Sequence, residues 1–311
     1  MSYESQMFHN FKMPPQKDVE LELLKSLFKH NGVIKEFGTG EDIVDEIANN
    51  FSLNEEQRIA KLETIYIKEN RVKYSNLWHR LLFRAADHLA KEKLVSRPTQ
   101  TIQLTNKREW MLTEEGYDKV LKLLKIPFEQ KEILPIKSFE VQKIVKKIIE
   151  KEKPIEYVPF EQSKKTIKIT KEAKLRSRGF RQAIIEAYEY KCSICGLKLF
   201  SPDNHLWEVE AAHIVPHSEN GKDDIWNGLA LCHLHHWAFD VGWFCLDDNY
   251  QVVTSNKTQF LEKDNGIIGT FNFIEHLSSE NLYLKLPRNS NNNPHFSALK
   301  WHRENIFSIY L

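Results

Sequence analysis

The chain has 311 residues, long enough for two domains with cores of their own, and its 41% hydrophobic and 28% charged residues exclude a disordered chain. No apolar run is long enough to span a bilayer, and the opening MSYESQMFHNFKMPP lacks a signal-like apolar stretch, so no membrane role and a cytoplasmic location are expected. A net charge of +1 leaves a nucleic-acid partner open, because such binding depends on where the charge sits and not on its sum.

Residues 1–125 read as one unit. Leu21, Leu23, Leu24, Leu27 and Phe28 form a helical apolar stripe that stops at Asn31-Gly32, a C-cap pair. Gly40-Glu41-Asp42 opens a second helix carrying Ile43, Val44, Ile47 and Ala48, and Ser52 followed by Glu55 marks a further helix start. A long helix is expected from Ser75 to Lys93, with Leu77, Leu81, Leu82, Ala85, Ala86 and Leu89 on its apolar face and Trp78 in the core. A strand pair is expected at Thr101–Leu104 and Glu109–Leu112, turning at Asn106-Lys107-Arg108, before a last helix from Thr113 to Leu124. Helices followed by a small β-hairpin are the order of a winged helix.

Residues 126–174 read as a linker, broken by Pro127, Pro135, Pro154 and Pro159, with a short helix at Val141–Ile149. The basic run from Ser163 to Arg181 leads out of it, and Arg176 and Arg178 are candidates for phosphate contact; the alternative is a solvated charged face.

The third segment, 175–311, opens with Cys192-Ser-Ile-Cys195-Gly196, two thiolates on one tight turn. A second close pair of ligands follows at Cys232 and His235, completing a Cys3His set with no position left for chemistry. A structural zinc is therefore expected on Cys192, Cys195, Cys232 and His235, tying distant segments together. Nothing around the Cys-x-x-Cys pair resembles a redox βαβ unit, and Cys245, beside Trp243 and Phe244, is expected as a buried strand cysteine.

Between the zinc pairs lie Glu210-Ala-Ala-His213-Ile-Val-Pro216, Gly221, Asp224 and Asn227-Gly-Leu-Ala-Leu-Cys232, followed by His235-His236-Trp-Ala-Phe-Asp240-Val-Gly242. This array resembles the HNH nuclease superfamily over roughly residues 175 to 250, and a weaker likeness to restriction-type members runs from Leu286-Pro287 to Phe307. The resemblance implies a ββα-metal fold, with His213 as general base at the end of the first strand. Asn227 would orient the base or hold the site, and His236 would stand at the start of the helix. Asp240 follows His236 by one turn, on the same face, so the pair can hold one divalent cation, Mg2+ or Mn2+. Many members carry Asp or His just before the base; here that position is Ala212, which leaves the strand side short of a ligand. His205, His217 and His233 are read as bystanders.

The first segment resembles the winged-helix domain at the front of Mrr-type restriction proteins, through Leu77-Trp-His-Arg80, Leu94-Val95 and Trp110-Met-Leu-Thr-Glu-Glu-Gly116. The resemblance places Lys73, Asn76, Arg80 and Arg84 on a recognition helix and Lys107 and Arg108 on the wing. A protein-binding or dimerising role is the alternative. The chain is thus expected to be α+β, a winged helix joined by a basic linker to a zinc-stabilised HNH nuclease. Its expected activity is restriction-type cleavage of double-stranded DNA by a homodimer. The alternatives are a nicking or homing-type nuclease, or a zinc-containing DNA-binding regulator with an inert site.

Overall fold

In a computed structural model of the chain, residues 3–38, 42–66, 71–161, 171–202, 206–262 and 264–310 are described. The chain divides into two units, Met1–Gln142 and Lys143–Leu311. No helix among the described residues is long and apolar enough to cross a membrane.

In the first unit, α1 (Tyr3–Asn10) buries no residue, whereas α2 (Gln16–Lys29) buries Val19, Leu23, Leu24 and Leu27. Asn31 turns left-handed at φ 55° and Gly32 N–H bonds back to Leu27 O, closing the helix where its sequence ends the stripe. The chain continues through β1 (Val33–Lys35), α3 (Asp42–Asn50) with Ile43, Val44, Ile47 and Ala48 buried, and α4 (Glu55–Ile59). The α4 cap is Asn54 with Gln57, and not Ser52 with Glu55; Ser52, at φ 52°, belongs to the turn that ends α3. Gly40 and Glu41, expected to open α3, lie outside the described residues.

A hairpin precedes the long helix: β2 (Lys61–Tyr66) pairs antiparallel with β3 (Arg71–Asn76). Helix α5 (Leu77–Lys91) therefore begins two residues later than its apolar pattern implied, at the cap Asn76, and Lys73 stands on a strand. Leu77, Trp78, Leu81, Leu82, Ala85, Ala86 and Leu89 fill the core, and the Trp78 indole donates to Val44 O.

After β4 (Val95–Ser96), residues Pro98–Thr105 form helix α6, so the strand expected at Thr101–Leu104 is a helix. Pro98 at its first turn suits a helix start, Gln100 caps the Arg97 N–H, and Thr101 is buried with its hydroxyl donating to Glu109 O. Asn106 is then a left-handed C-cap of α6 and not a hairpin turn. Strand β5 (Glu109–Leu112) joins β1 and β4 in a three-stranded antiparallel sheet of order β1-β5-β4, and α7 (Glu114–Leu124), capped by Thr113, follows.

The boundary between the units falls inside α8 (Phe139–Ile149). The basic run from Ser163 is, from Lys171 onward, the first part of α9 (Lys171–Ala187); residues Ser163–Thr170 lie outside the described residues. Helix α9 buries Phe180, Ala183, Ile184 and Ile185 and packs on an antiparallel pair, β6 (Val209–His213) and β7 (Gly228–Cys232). Gly228 is required by this contact, since a Cβ there would sit 2.3 Å from Ile184 Cδ1. Helix α10 (His233–Asp240) follows β7 directly and packs on both strands, completing a ββα element.

The rest of the unit supports α10. Strand β8 (Phe244–Leu246) buries Cys245 and pairs with β9 (Val252–Thr254); β10 (Ile267–Ile268) and β11 (Phe271–Asn272) form a hairpin before α11 (Phe273–Leu277). From α12 (Phe296–Asn305), His302 lies flat on the Phe239 ring at 3.6 Å and donates Nε2–H to Phe239 O, and burial lowers its pKa to about 4. His302 is thus a neutral packing residue under the last turn of α10.

Candidate active site

The two cysteines that follow α9 and the pair at the junction of β7 and α10 converge. Donor atoms of Cys192, Cys195, Cys232 and His235 all lie within 4.8 Å of one another. Gly196, at φ +80°, bends the first pair, and the turn is fastened to β7 by Ser193 N–H on Ala230 O. The Cys195 and Cys232 sulfurs are 4.0 Å apart. A disulfide is about 2.05 Å, whereas two thiolates on one tetrahedral zinc stand roughly 3.8 Å apart, so the set fits an ion and not a bond. Nδ1 of His235 points into the cluster, 2.9 Å from Cys232 Sγ. Hydrogen bonds from Cys195 and Cys232 hold the Cys192 thiol below the ordinary thiol range, and its contacts with Cys192 and Cys195 push the Cys232 thiol up, so negative charge gathers on one sulfur of the cluster. His233, by contrast, is exposed and pairs with Glu208 and Glu210.

One residue past the last of these ligands stands His236. Its Nδ1 is 2.9 Å from Glu210 Oε2 on β6, and its Nε2 faces Asp240 Oδ2 at 3.5 Å. A carboxylate on one ring nitrogen fixes the ring and its tautomer and turns the other nitrogen outward, the usual support of a metal-binding imidazole. The Glu210 bond raises the His236 pKa against burial, and the same bond lowers that of Glu210. Burial raises Asp240, and the charge of Glu210 adds to this while those of His236 and His213 oppose it. These dependences place Glu210, His213, His236 and Asp240 in one electrostatic neighbourhood. Ala212 is fully buried, so the ligand missing from the strand is not supplied there; the carboxylate that serves the site from β6 is Glu210.

His213 ends β6 and lies against Phe180 of α9, rings 4.0 Å apart and 17° from parallel. Its Nε2 is 3.0 Å from Asp223 Oδ1, and His217 Nε2 is 3.2 Å from the same oxygen. Burial pushes Asp223 up, yet the His213 hydrogen bond and the charges of His217, His213 and Arg176 carry it below the ordinary carboxylate range. Asp223 lies ten positions after His213 across an irregular loop, a separation that no periodicity marks. His217, read from the sequence as a bystander, is one of the residues around that carboxylate.

Asn227 is fully buried, and its side-chain amide is spent on the backbone. Its Oδ1 accepts Val215 N–H at 2.9 Å, and its Nδ2 donates to Val215 O at 3.1 Å and Lys222 O at 3.0 Å. It therefore clamps the loop that carries His217 and Asp223 to the end of β6. Gly221 permits the closure, because a Cβ there would meet Val215 O at 1.8 Å. Asn227→Ala leaves these backbone groups unpaired, and at roughly 1–3 kcal/mol for each buried orphan the variant is expected to lose about 3 kcal/mol or more. Chemical denaturation checks this, with full stability in the variant as the contrary result.

The candidate DNA contacts divide by position. Lys73, Asn76, Arg80 and Arg84 line one open cleft of about 780 Å³ in the first unit, together with Tyr74 and Phe83. Asn76 is committed as the α5 cap, accepting His79 N–H and donating to Arg58 O. Arg80 and Arg84 both pair with Glu4, at 2.9 and 3.4 Å. Lys107 and Arg108 lie between α6 and β5 and not on a hairpin tip, and Arg108 pairs with Glu36. Arg176 is exposed on α9, with its charge felt at Asp223, whereas Arg178 is only 7% exposed and has little surface to offer a phosphate.

A search among curated proteins gives no match. Among solved structures, one described as "Modification dependent TagI restriction endonuclease" aligns over 41% of this chain and 37% of that chain, at 19% identity and a TM-score of 0.29. The chain therefore spans well under half of that structure, and a likeness of this size carries no argument. A family model described as HNH endonuclease matches residues 192–247. That span begins at the first thiolate of the cluster and ends one residue past β8, and it contains both strands, α10, His213, Asn227, His236 and Asp240. Residues 192–247 are an HNH endonuclease domain, and DNA is the substrate such a domain implies.

Proposed function

We propose that the chain is a restriction-type endonuclease that hydrolyses phosphodiester bonds of double-stranded DNA, in a sequence- or methylation-dependent way. The observation that carries this reading is the pairing, on one ββα element, of His213 at the end of β6 with His236 and Asp240 one turn apart on α10. His213 is the general base. The tautomer that gives Nε2–H to Asp223 leaves the Nδ1 lone pair to take a proton from water, and Asp223 balances the charge that arrives on the ring. Phe180 holds the imidazole plane, and Asn227 acts by fixing the loop behind it. His236 Nε2 and Asp240 suit a hard or borderline dication, Mg2+ or Mn2+, which when bound polarises the scissile phosphate. Zinc on Cys192, Cys195, Cys232 and His235 keeps α10 against β7.

The DNA-binding part is proposed for residues 1–125, the linker for 126–174 and the nuclease for 175–311. Support for a winged helix comes from the order α2, β1, α3, α5, β4, β5 and from a sheet in which the last strand lies between the first two. Lys73, Arg80 and Arg84 then flank the face of α5 that would meet the duplex. One such site hydrolyses one strand, so a double-strand cut calls for a homodimer or two encounters.

Incubation with plasmids of differing methylation, with Mg2+ or with EDTA, tests the reading. Nicked and linear products are expected with Mg2+ and not with EDTA, on a subset of the plasmids. Intact DNA in every condition, with the protein bound to it, would instead favour a regulator with an inert site.

A further inference from the structure

The carboxylate of Asp223 brings two imidazoles to one oxygen by the same ring nitrogen, at 3.0 Å for His213 and 3.2 Å for His217. Donors about 2.1 Å from a metal and at right angles to one another stand roughly 3.0 Å apart, so both edges match ligands on a common ion. All three donor atoms lie within 4.8 Å of one another. The side chain of His217 is 56% exposed and on a short turn, so its ring can rotate to close the third edge. The other two donors are already held: His213 by the Phe180 ring, and Asp223 in a loop clamped by Asn227 and only 17% exposed at its side chain.

We propose that His213, His217 and Asp223 form a second divalent cation site, distinct from the His236–Asp240 pair, and that an ion there switches the nuclease off. The switching role rests on His213 being the general base. Two imidazoles and one carboxylate select a borderline first-row dication, such as zinc or nickel, over magnesium, which prefers all-oxygen sites and keeps its waters. Arg176 acts on the same carboxylate and tempers the affinity, so the site is suited to reversible occupation. An ion taken on Nε2 of His213 requires the ring's remaining proton on Nδ1. No lone pair is then left to accept the proton of the attacking water. The bond formed is one nitrogen–metal bond, and the Nε2 proton moves to Nδ1, so no oxidant or reductant is involved.

The probe is Ni2+ with the full-length zinc-replete protein, counting both metals by elemental analysis after equilibrium dialysis. The parent is expected to bind a nickel ion that His217→Ala and Asp223→Asn bind more weakly, by at least the roughly 10–100-fold that losing an outer-shell partner of a metal ligand already costs. His236→Ala keeps this ion. In Mg2+-supported plasmid cleavage, micromolar Ni2+ is expected to slow the parent tenfold or more and to leave His217→Ala cutting as it does without nickel. Equal nickel binding by the parent and both variants overturns the site. Nickel that binds through His217 without slowing the parent overturns the switch. Should the parent cut no DNA with Mg2+ alone, the nuclease reading fails and the dialysis result still decides the site.

Discussion

His213→Ala is expected to slow single-turnover cleavage by roughly 10²–10⁴-fold, the usual contribution of a general base, while leaving DNA affinity and the zinc content unchanged. The reason is local. The His213 ring projects from the last residue of β6 onto Phe180, so its removal opens a gap at the edge of the sheet without touching the Cys3His cluster. His236→Ala is expected to abolish cleavage, because it removes the proposed cation donor and leaves Glu210 paired with His233 alone among these histidines. Raised Mn2+ restores part of the His236→Ala activity and none of that of His213→Ala. Asp240→Asn falls between the two. Rapid-quench cleavage under enzyme excess separates these outcomes, and a His213→Ala protein cutting at the parental rate would show that the base lies elsewhere.

Removing one zinc ligand is expected to act on the fold as well as on the reaction. Cys192 is fully buried and Cys232 nearly so, and the two belong to segments forty residues apart. Structural zinc typically contributes about 10–16 kcal/mol of binding free energy that folding uses, a figure larger than the net stability of an ordinary domain. Cys192→Ser, or dialysis of the parent against a strong chelator, should therefore lower the melting temperature of the second unit and release one zinc per chain. His236 moves with the metal because it is the next residue after His235, so cleavage is lost in step with zinc. Purified protein containing no zinc, or a Cys192→Ser variant as stable as the parent, would rule out this role.

The clustering of Cys192, Cys195, Cys232 and His235 was legible because metal chemistry constrains spacing: two soft donors on a turn announce themselves, and a second pair of the same type completes them. His213, Asn227 and His236 were legible as an ordered set, whereas the bonds of Asn227 to the backbone of Val215 and Lys222 were not. Glu210 and Asp223 were not legible, since each meets its histidine across a strand or a loop, at separations of 26 and 10 residues that no periodicity marks.

In the first unit, the segment Thr101-Ile-Gln-Leu104 has the β-branched look of a strand, but a proline start and a buried threonine bonded to the backbone make it a helix. The same misreading moved the hairpin. The true one, β2 with β3, opens with Leu62 buried between exposed Lys61 and Glu63, and polar residues run through both strands, so its sequence does not stand out as a strand pair.

Glu4 has a consequence for how the first unit would meet a polyanion. It occupies Arg80 and Arg84 at once, from a helix with no buried residue. A phosphate arriving at either arginine takes a place that a carboxylate already holds, so the encounter exchanges one anion for another. Met7 and Phe8 of α1 pack against the core of the unit, so Glu4 is held where the two arginines can reach it. The two arginines then contribute less to the ionic-strength dependence than two open cations would, because the Glu4 carboxylate competes with phosphate for both.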